Sequence, residues 1–247
     1  MKRRMKEEYD VIILCGGKGT RLYPLTADIP KPMVKIGDLP VIEHIIKLYE
    51  FYGYRNIKLL TGYKGEGIQN YFEDKYKDRR GINIQCIDTG ENSDTAERIW
   101  QIRNTVTNTF FLSYSDVLAD LNLASMLKFH KKHKKAGTMA VYPLTTSYGI
   151  VRFDEDKIAY EYLEKPIIKS LFINAGFFIF NSTLFDLWEW SSTDFSKGML
   201  VKLCRERLIA CYEHKGFWSG MDTVRENEIL NEMWRTGKAK WAVWKKQ

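Results

Sequence analysis

The sequence predicts an α/β fold: an open, mainly parallel sheet with a small antiparallel elaboration. Three observations predict it. Strand signals recur at Val11–Leu14, Ile57–Thr61, Ile82–Ile87, Phe110–Tyr114 and Thr138–Tyr142, and the first of them reads as a buried strand. Helical spacing fills several of the intervals up to about residue 145. This alternation implies parallel strands with helices on both faces, a Rossmann-like sheet. The pattern then changes to three strand-like runs with turns between, Tyr148–Phe153, Ile158–Leu163 and Leu171–Phe180, which predict the antiparallel part.

Val11–Leu14 is four apolar residues, three of them β-branched, and glycines soon follow. Val41, Ile42, Ile45, Ile46, Leu48 and Tyr49 share one helical face, and Gly53 is the stop signal. Leu121 to Ala136 is a predicted helix ending in Lys131-Lys132-His133-Lys134-Lys135. Cations near a helix C-terminus complement its dipole, so this run predicts a solvated helix end. Helical patterns return from Thr183, and Thr223–Trp234 predicts a late helix. No repeat, low-complexity tract or linker interrupts the chain. Residues 1–247 therefore predict one domain, with a core over about 9–145 and an elaboration plus C-terminal helices over about 146–247.

A chain of 247 residues buries a sizeable core. Lys and Arg number 38 against 31 Asp and Glu, a net charge of +7 that suits a polyanionic ligand. The same balance suits RNA, but no aromatic-basic platform accompanies it, so no nucleic acid partner is expected. Arg3, Arg4 and Lys6 make a short basic start, expected to fray. Cys15, Cys86, Cys204 and Cys211 show no C-x-x-C spacing and the histidines are dispersed, which argues against a zinc site. Cys15 and Cys86 lie in apolar runs and are expected to be buried thiols. No stretch has the length of a membrane span and no signal peptide is visible, so no membrane partner is expected and the cytoplasm is the expected compartment.

The most informative stretch is Val11-Ile-Ile-Leu-Cys-Gly-Gly-Lys-Gly-Thr-Arg-Leu22 with Lys31-Pro-Met33. Gly16, Gly17 and Gly19 let the backbone turn sharply and approach a ligand, and their N–H groups are suited to cradling phosphate oxygens. Thr20 adds a hydroxyl, while Lys18, Arg21 and Lys31 add cations, as triphosphate chemistry needs. Other phosphate motifs fit poorly. The P-loop spacing fails because Lys18 precedes Gly19-Thr20, and G-x-G-x-x-G lacks its third glycine. Asp116 follows the strand Phe110–Tyr114, where ligands bind in open α/β sheets. Asp222 is a second carboxylate with which it could share Mg²⁺. Asp222 also stands where a residue could cap the helix that follows.

Gly16, Gly17, Gly19, Thr20, Arg21, Leu22, Lys31 and Pro32 match G-G-x-G-T-R-L…K-P, and the segment resembles the signature of the sugar-1-phosphate nucleotidyltransferases. The resemblance extends over nearly the whole chain. Gly216, Phe217, Trp218, Met221, Asp222, Thr223 and Arg225 match G-F-W-x-x-M-D-T-x-R, and Asp88–Arg98 resembles D-T-G-E-N-T-x-T-G-G-R, both of the glucose-1-phosphate cytidylyltransferase branch. Two departures stand out. Ser115 precedes Asp116 where the family has glycine, and Ala96-Glu97 replaces two glycines. Glu164-Lys165-Pro166 resembles the family's E-K-P element, and Tyr148-Gly149 and Asn174-Ala-Gly176 its Y-G and N-x-G elements. Glu-Lys-Pro is also a common surface turn.

The resemblance implies a nucleotide-diphospho-sugar transferase fold whose antiparallel elaboration binds sugar. It implies catalytic roles for Arg21 and Lys31, and nucleotide contacts from Leu14, Gly16, Gly17, Gly19, Thr20, Thr95 and Arg98. Gly149, Glu164, Lys165 and Asn174 would bind the phosphorylated acceptor, and Asp116 and Asp222 would hold Mg²⁺. The expected partners are a nucleoside triphosphate and a sugar 1-phosphate, with CTP and glucose 1-phosphate first, and the family implies a homo-oligomer. Two alternatives stay open: another nucleotide or acceptor, even a non-sugar one, and a catalytically inactive nucleotide-sensing subunit.

Overall fold

The computed structural model describes residues 8–146 and 148–245; Arg3, Arg4 and Lys6 lie outside the described residues. Strand β1 (Asp10–Leu14) leads through the glycine loop to the short strands β2 (Lys35–Ile36) and β3 (Leu39–Pro40) and helix α1 (Val41–Phe51). Then follow β4 (Asn56–Thr61), α2 (Gly65–Tyr76), β5 (Asn83–Asp88), α3 (Thr95–Gln101), β6 (Thr109–Tyr114), β7 (Val117–Ala119), α4 (Leu123–His133) and β8 (Gly137–Thr145). A hairpin of β9 (Ile150–Phe153) and β10 (Ala159–Leu163) precedes β11 (Ile167–Asn181), α5 (Met199–Arg205), β12 (Ile209–Glu213), β13 (Trp218–Gly220) and α6 (Val224–Arg235).

Seven strands form the main sheet in the order β12-β8-β11-β6-β1-β4-β5. β1 is parallel to β4 and β6, β4 to β5, and β12 to β8. Successive residues of β1 face opposite sides. Val11 and Ile13 join a core with α1, α2, α4 and α6, whereas Ile12 and Leu14 join one with α3 and α5. Helices therefore cover both faces, as the alternation of strands and helices requires.

One expectation is corrected. The run Leu171–Phe180 belongs to β11, a central strand antiparallel to both β6 and β8, and not to the small elaboration. Phe177, Phe178, Ile179 and Phe180 are fully or almost fully buried. An unbroken apolar run of this kind marks a strand covered on both faces. The independent antiparallel elaboration reduces to the β9–β10 hairpin, and the main sheet gains β11 and β12 from beyond residue 145. Among the described residues no helix is long and apolar enough to cross a membrane.

The C-terminal tryptophans pack on the chain itself. Trp241 Nε1 donates to His44 Nδ1 at 3.2 Å, so His44 Nε2–H donates to the Ile36 carbonyl at 3.0 Å. Trp234 meets the same imidazole edge-on at 4.7 Å. Burial holds the His44 pKa down at about 4. The folded state thus binds fewer protons than the unfolded one between an ordinary histidine pKa and that value. This contribution is complete above pH 6.5 and is lost as pH falls toward 4, about 3 kcal/mol in all. We expect His44→Gln, which can keep both hydrogen bonds, to lose less stability than the wild type over that range in urea titrations. Equal losses would contradict the assignment.

Candidate active site

The glycine loop leaves the carboxyl end of β1, beside β6. Leu14 pairs with Tyr114, so the loop and the residues after Tyr114 emerge together. Gly19 has φ 61°, and a Cβ there would lie 2.5 Å from Lys31 Cβ, so the loop rests on the Lys31 stem. A Cβ on Gly16 would lie 2.2 Å from the Arg98 guanidinium carbon, whereas one on Gly17 would meet nothing within 4 Å. Packing therefore demands glycine at 16, and the bare backbone at 17 leaves open space in front of it.

Arg98 lies beneath this loop, 3% exposed. Its guanidinium donates to the Thr61 carbonyl at 2.7 Å, Thr89 Oγ1 at 2.5 Å and the Gly16 carbonyl at 3.1 Å. Burial lowers its pKa. Arg98 is a buried cation that fixes the loop from below. Its neighbours Ala96 and Glu97 open α3. Ala96 is buried, and the Glu97 carboxylate accepts from the Asp94 N–H at 2.7 Å in a capping box. The two residues that replace the family's glycines thus build a helix start. Thr95 lines the cavity, and its hydroxyl accepts from the Phe195 N–H at 2.8 Å.

Two aspartates reach the loop by different routes. Asp116 follows β6 after a single residue, Ser115. Asp222 arrives because β13 pairs antiparallel with β7, Gly220 opposite Val117, and the Met221 N–H donates to the Asp116 carbonyl at 2.8 Å. Ser115 has no positive φ, so this turn does not need the family's glycine. Asp222 does not cap α6. Thr223 does so, in a capping box with Glu226. The Asp222 carboxylate is left for Lys31, whose Nζ lies 2.5 Å from Asp222 Oδ1 and 2.6 Å from Asp116 Oδ2. Arg21 adds a second contact to Asp222 at 2.8 Å.

One ammonium touches an oxygen of each aspartate, so the two carboxylates converge on one point. Among the described residues no group of three or more His, Cys, Asp and Glu side chains converges. Two carboxylates fit a magnesium ion that takes its remaining ligands from water and substrate phosphates. Of the two thiols expected to be buried, Cys15 is, and burial pushes its pKa up strongly; Cys86 is only half-covered, and burial raises it to about 11.

The loop, Arg98 and both aspartates line one cavity of about 660 Å³. Leu14, Gly16, Gly17, Gly19, Thr20, Arg21, Lys31, Thr95, Arg98, Asp116, Asn174 and Asp222 all contribute to it. Gly149, Glu164 and Lys165 do not. They flank the β9–β10 hairpin, where Glu164 and Lys165 side chains are 58% and 62% exposed and face each other at 3.6 Å. Residues to which the sequence assigned no site role also line the wall: Tyr114, whose hydroxyl lies 2.7 Å from Ser196 Oγ, and Asp194 and Trp218. Trp218 Nε1 donates to the Ala175 carbonyl at 2.9 Å, beside the irregularity in β11. The motif Gly216-Phe-Trp218 could have pointed to Trp218; Asp194 and Ser196 carry no motif.

Residues 10–231 match the model of the nucleotidyl transferase family. The chain belongs to this family. It is 34% identical to the probable glucose-1-phosphate cytidylyltransferase of Bacillus subtilis (strain 168), over 94% of this chain and 99% of that protein. It is 32% identical to the glucose-1-phosphate cytidylyltransferase of Salmonella typhi, over 94% and 98%. A mannose-1-phosphate guanyltransferase of Gibberella zeae is 31% identical, over 89% of this chain and 62% of that protein. In fold, the UTP-bound UGPase of Acinetobacter baumannii superposes with a TM-score of 0.73 at 17% identity, covering 98% of both chains. As a sugar-1-phosphate nucleotidyltransferase, the chain carries its family's glycine signature on the loop that borders the cavity.

Proposed function

We propose that this nucleotidyltransferase joins CTP to glucose 1-phosphate, giving CDP-glucose and pyrophosphate. The observation that carries the reading is the cluster of Arg21, Lys31, Asp116 and Asp222 against the glycine loop in one cavity. A phosphate oxygen of the sugar phosphate attacks the α-phosphorus in line. A new P–O bond forms, the bond to the bridging α–β oxygen breaks, and pyrophosphate leaves with the electron pair. No covalent enzyme intermediate is required, so the protein contributes positioning and charge stabilisation.

In this proposal the N–H groups of Gly16, Gly17 and Gly19 and the Thr20 hydroxyl bind the triphosphate. Arg21 stabilises the leaving pyrophosphate and Lys31 the α-phosphate. Asp116 and Asp222 would hold Mg²⁺, which when bound neutralises phosphate charge. Arg98 supports the nucleotide through Gly16. Asn174 contacts the acceptor, and the resemblance assigns Gly149, Glu164 and Lys165 to the same acceptor. The choice of base rests on Asp88–Arg98 and Gly216–Arg225 and on relatives of the cytidylyl type matched over nearly their full length. A site that pairs a base edge strands its own buried groups when the wrong base enters, and so discriminates strongly. With equal concentrations of CTP, GTP, ATP and dTTP and glucose 1-phosphate, CDP-glucose is the expected main product. A dominant GDP- or dTDP-sugar would overturn the choice of base.

A further inference from the structure

The ion pairs around Asp116 and Asp222 bear on how the two charged ligands enter. Lys31 Nζ touches Asp116 Oδ2 and Asp222 Oδ1, and Arg21 touches the same Asp222 oxygen. The two carboxylates are thus balanced by two side-chain cations. A divalent cation bridging the aspartates would compete with Lys31 for those oxygens and stand beside its ammonium, a repulsive arrangement of like charges. Lys31 and a metal are therefore competitors for one pair of carboxylates.

The placement of Lys31 offers it another partner. Its stem is pinned under Gly19, in the loop with open space before Gly17, and its side chain is 11% exposed. Only the end of the side chain needs to turn to exchange the aspartates for an anion held by the loop. Arg21 sits on the same loop, 72% exposed, and is free to make the same exchange.

We propose that Lys31, assisted by Arg21, is an exchange cation. It holds Asp116 and Asp222 until a polyphosphate draws it away, and so couples divalent-cation binding to triphosphate binding. The ligands' identities rest on the reading above, but the exchange is a property of this chain's own side chains. By reciprocity, whatever removes Lys31 from the aspartates must favour the metal.

Mn²⁺ binding to the nucleotide-free protein, followed by the electron paramagnetic resonance of free Mn²⁺, tests this. Lys31→Met should bind Mn²⁺ about tenfold tighter than the wild type, because a competing charge is gone. Lys31→Arg, which keeps the charge, should stay near wild type. Adding Asp116→Asn to Lys31→Met should abolish the gain, placing it at this site. Should Lys31→Met fail to fold by circular dichroism, the exposed Arg21→Met decides, with a smaller gain expected. Unchanged or weaker Mn²⁺ binding in the folded variant overturns the proposal, as does a gain that survives Asp116→Asn. Tighter Mn²⁺ binding by Lys31→Met, alongside a wild-type protein that forms no nucleotide sugar, would sustain the exchange and sink the proposed reaction. Product formation with unchanged Mn²⁺ binding would do the reverse.

Discussion

Asp222→Ala is expected to lower turnover about a thousandfold while the fold stays intact, because it removes a group that positions charge at the reacting phosphates. The same change strips Lys31 of one of its two carboxylates and Arg21 of its partner. Helix α6 should survive, since Thr223 and Glu226 supply its cap without help from Asp222. Thr223→Ala is the contrasting variant. It should cost about 1 kcal/mol of stability through the lost cap and leave most of the turnover. Steady-state kinetics and urea titrations on the two proteins check both halves. Near-normal turnover in Asp222→Ala would remove Asp222 from the chemistry.

Arg98→Ala carries the largest expected loss of stability, about 3 kcal/mol or more, because charge-assisted hydrogen bonds disappear and buried acceptors lose their partner. The carbonyls of Thr61 and Gly16 and the Thr89 hydroxyl are those partners. With the loop released, the KM for the triphosphate should rise about tenfold, more than kcat falls. Gly16→Ala should reproduce this, since its new Cβ would collide with the guanidinium. The double variant should then cost far less than the sum of the two, as residues in contact do. Additive losses, or an Arg98→Ala protein with an unchanged triphosphate KM, would contradict a positioning role.

The parts of the fold set by local pattern were legible in the sequence. β1, β4, β6 and β8 are largely apolar runs, β5 alternates polar Asn83 and Gln85 with apolar Ile84 and Cys86 as a half-covered edge strand does, and the glycine loop needs only its own neighbours to be read. Leu171–Phe180 was legible as a strand but not as a central one, because pairing partners are not encoded in a run's own periodicity. β12 and β13 are short and only partly buried, which leaves little alternation to detect. Asp222 was legible as a partner for Asp116 through its motif, but its local position also suited a cap. The pairing of β13 with β7, which no local pattern encodes, is what brings it to Asp116. Conversely, Glu164 and Lys165 match their motif but lie outside the cavity lining, since a local motif does not fix where its hairpin projects.

Pyrophosphate release from CTP, measured with and without glucose 1-phosphate on the wild type and on Asp116→Asn, tests the proposed reaction most directly. Release is predicted only when both substrates are present, in step with CDP-glucose formation, and is predicted to be nearly lost in Asp116→Asn. Acceptor-independent release, no release with both substrates, or undiminished release from Asp116→Asn would contradict it.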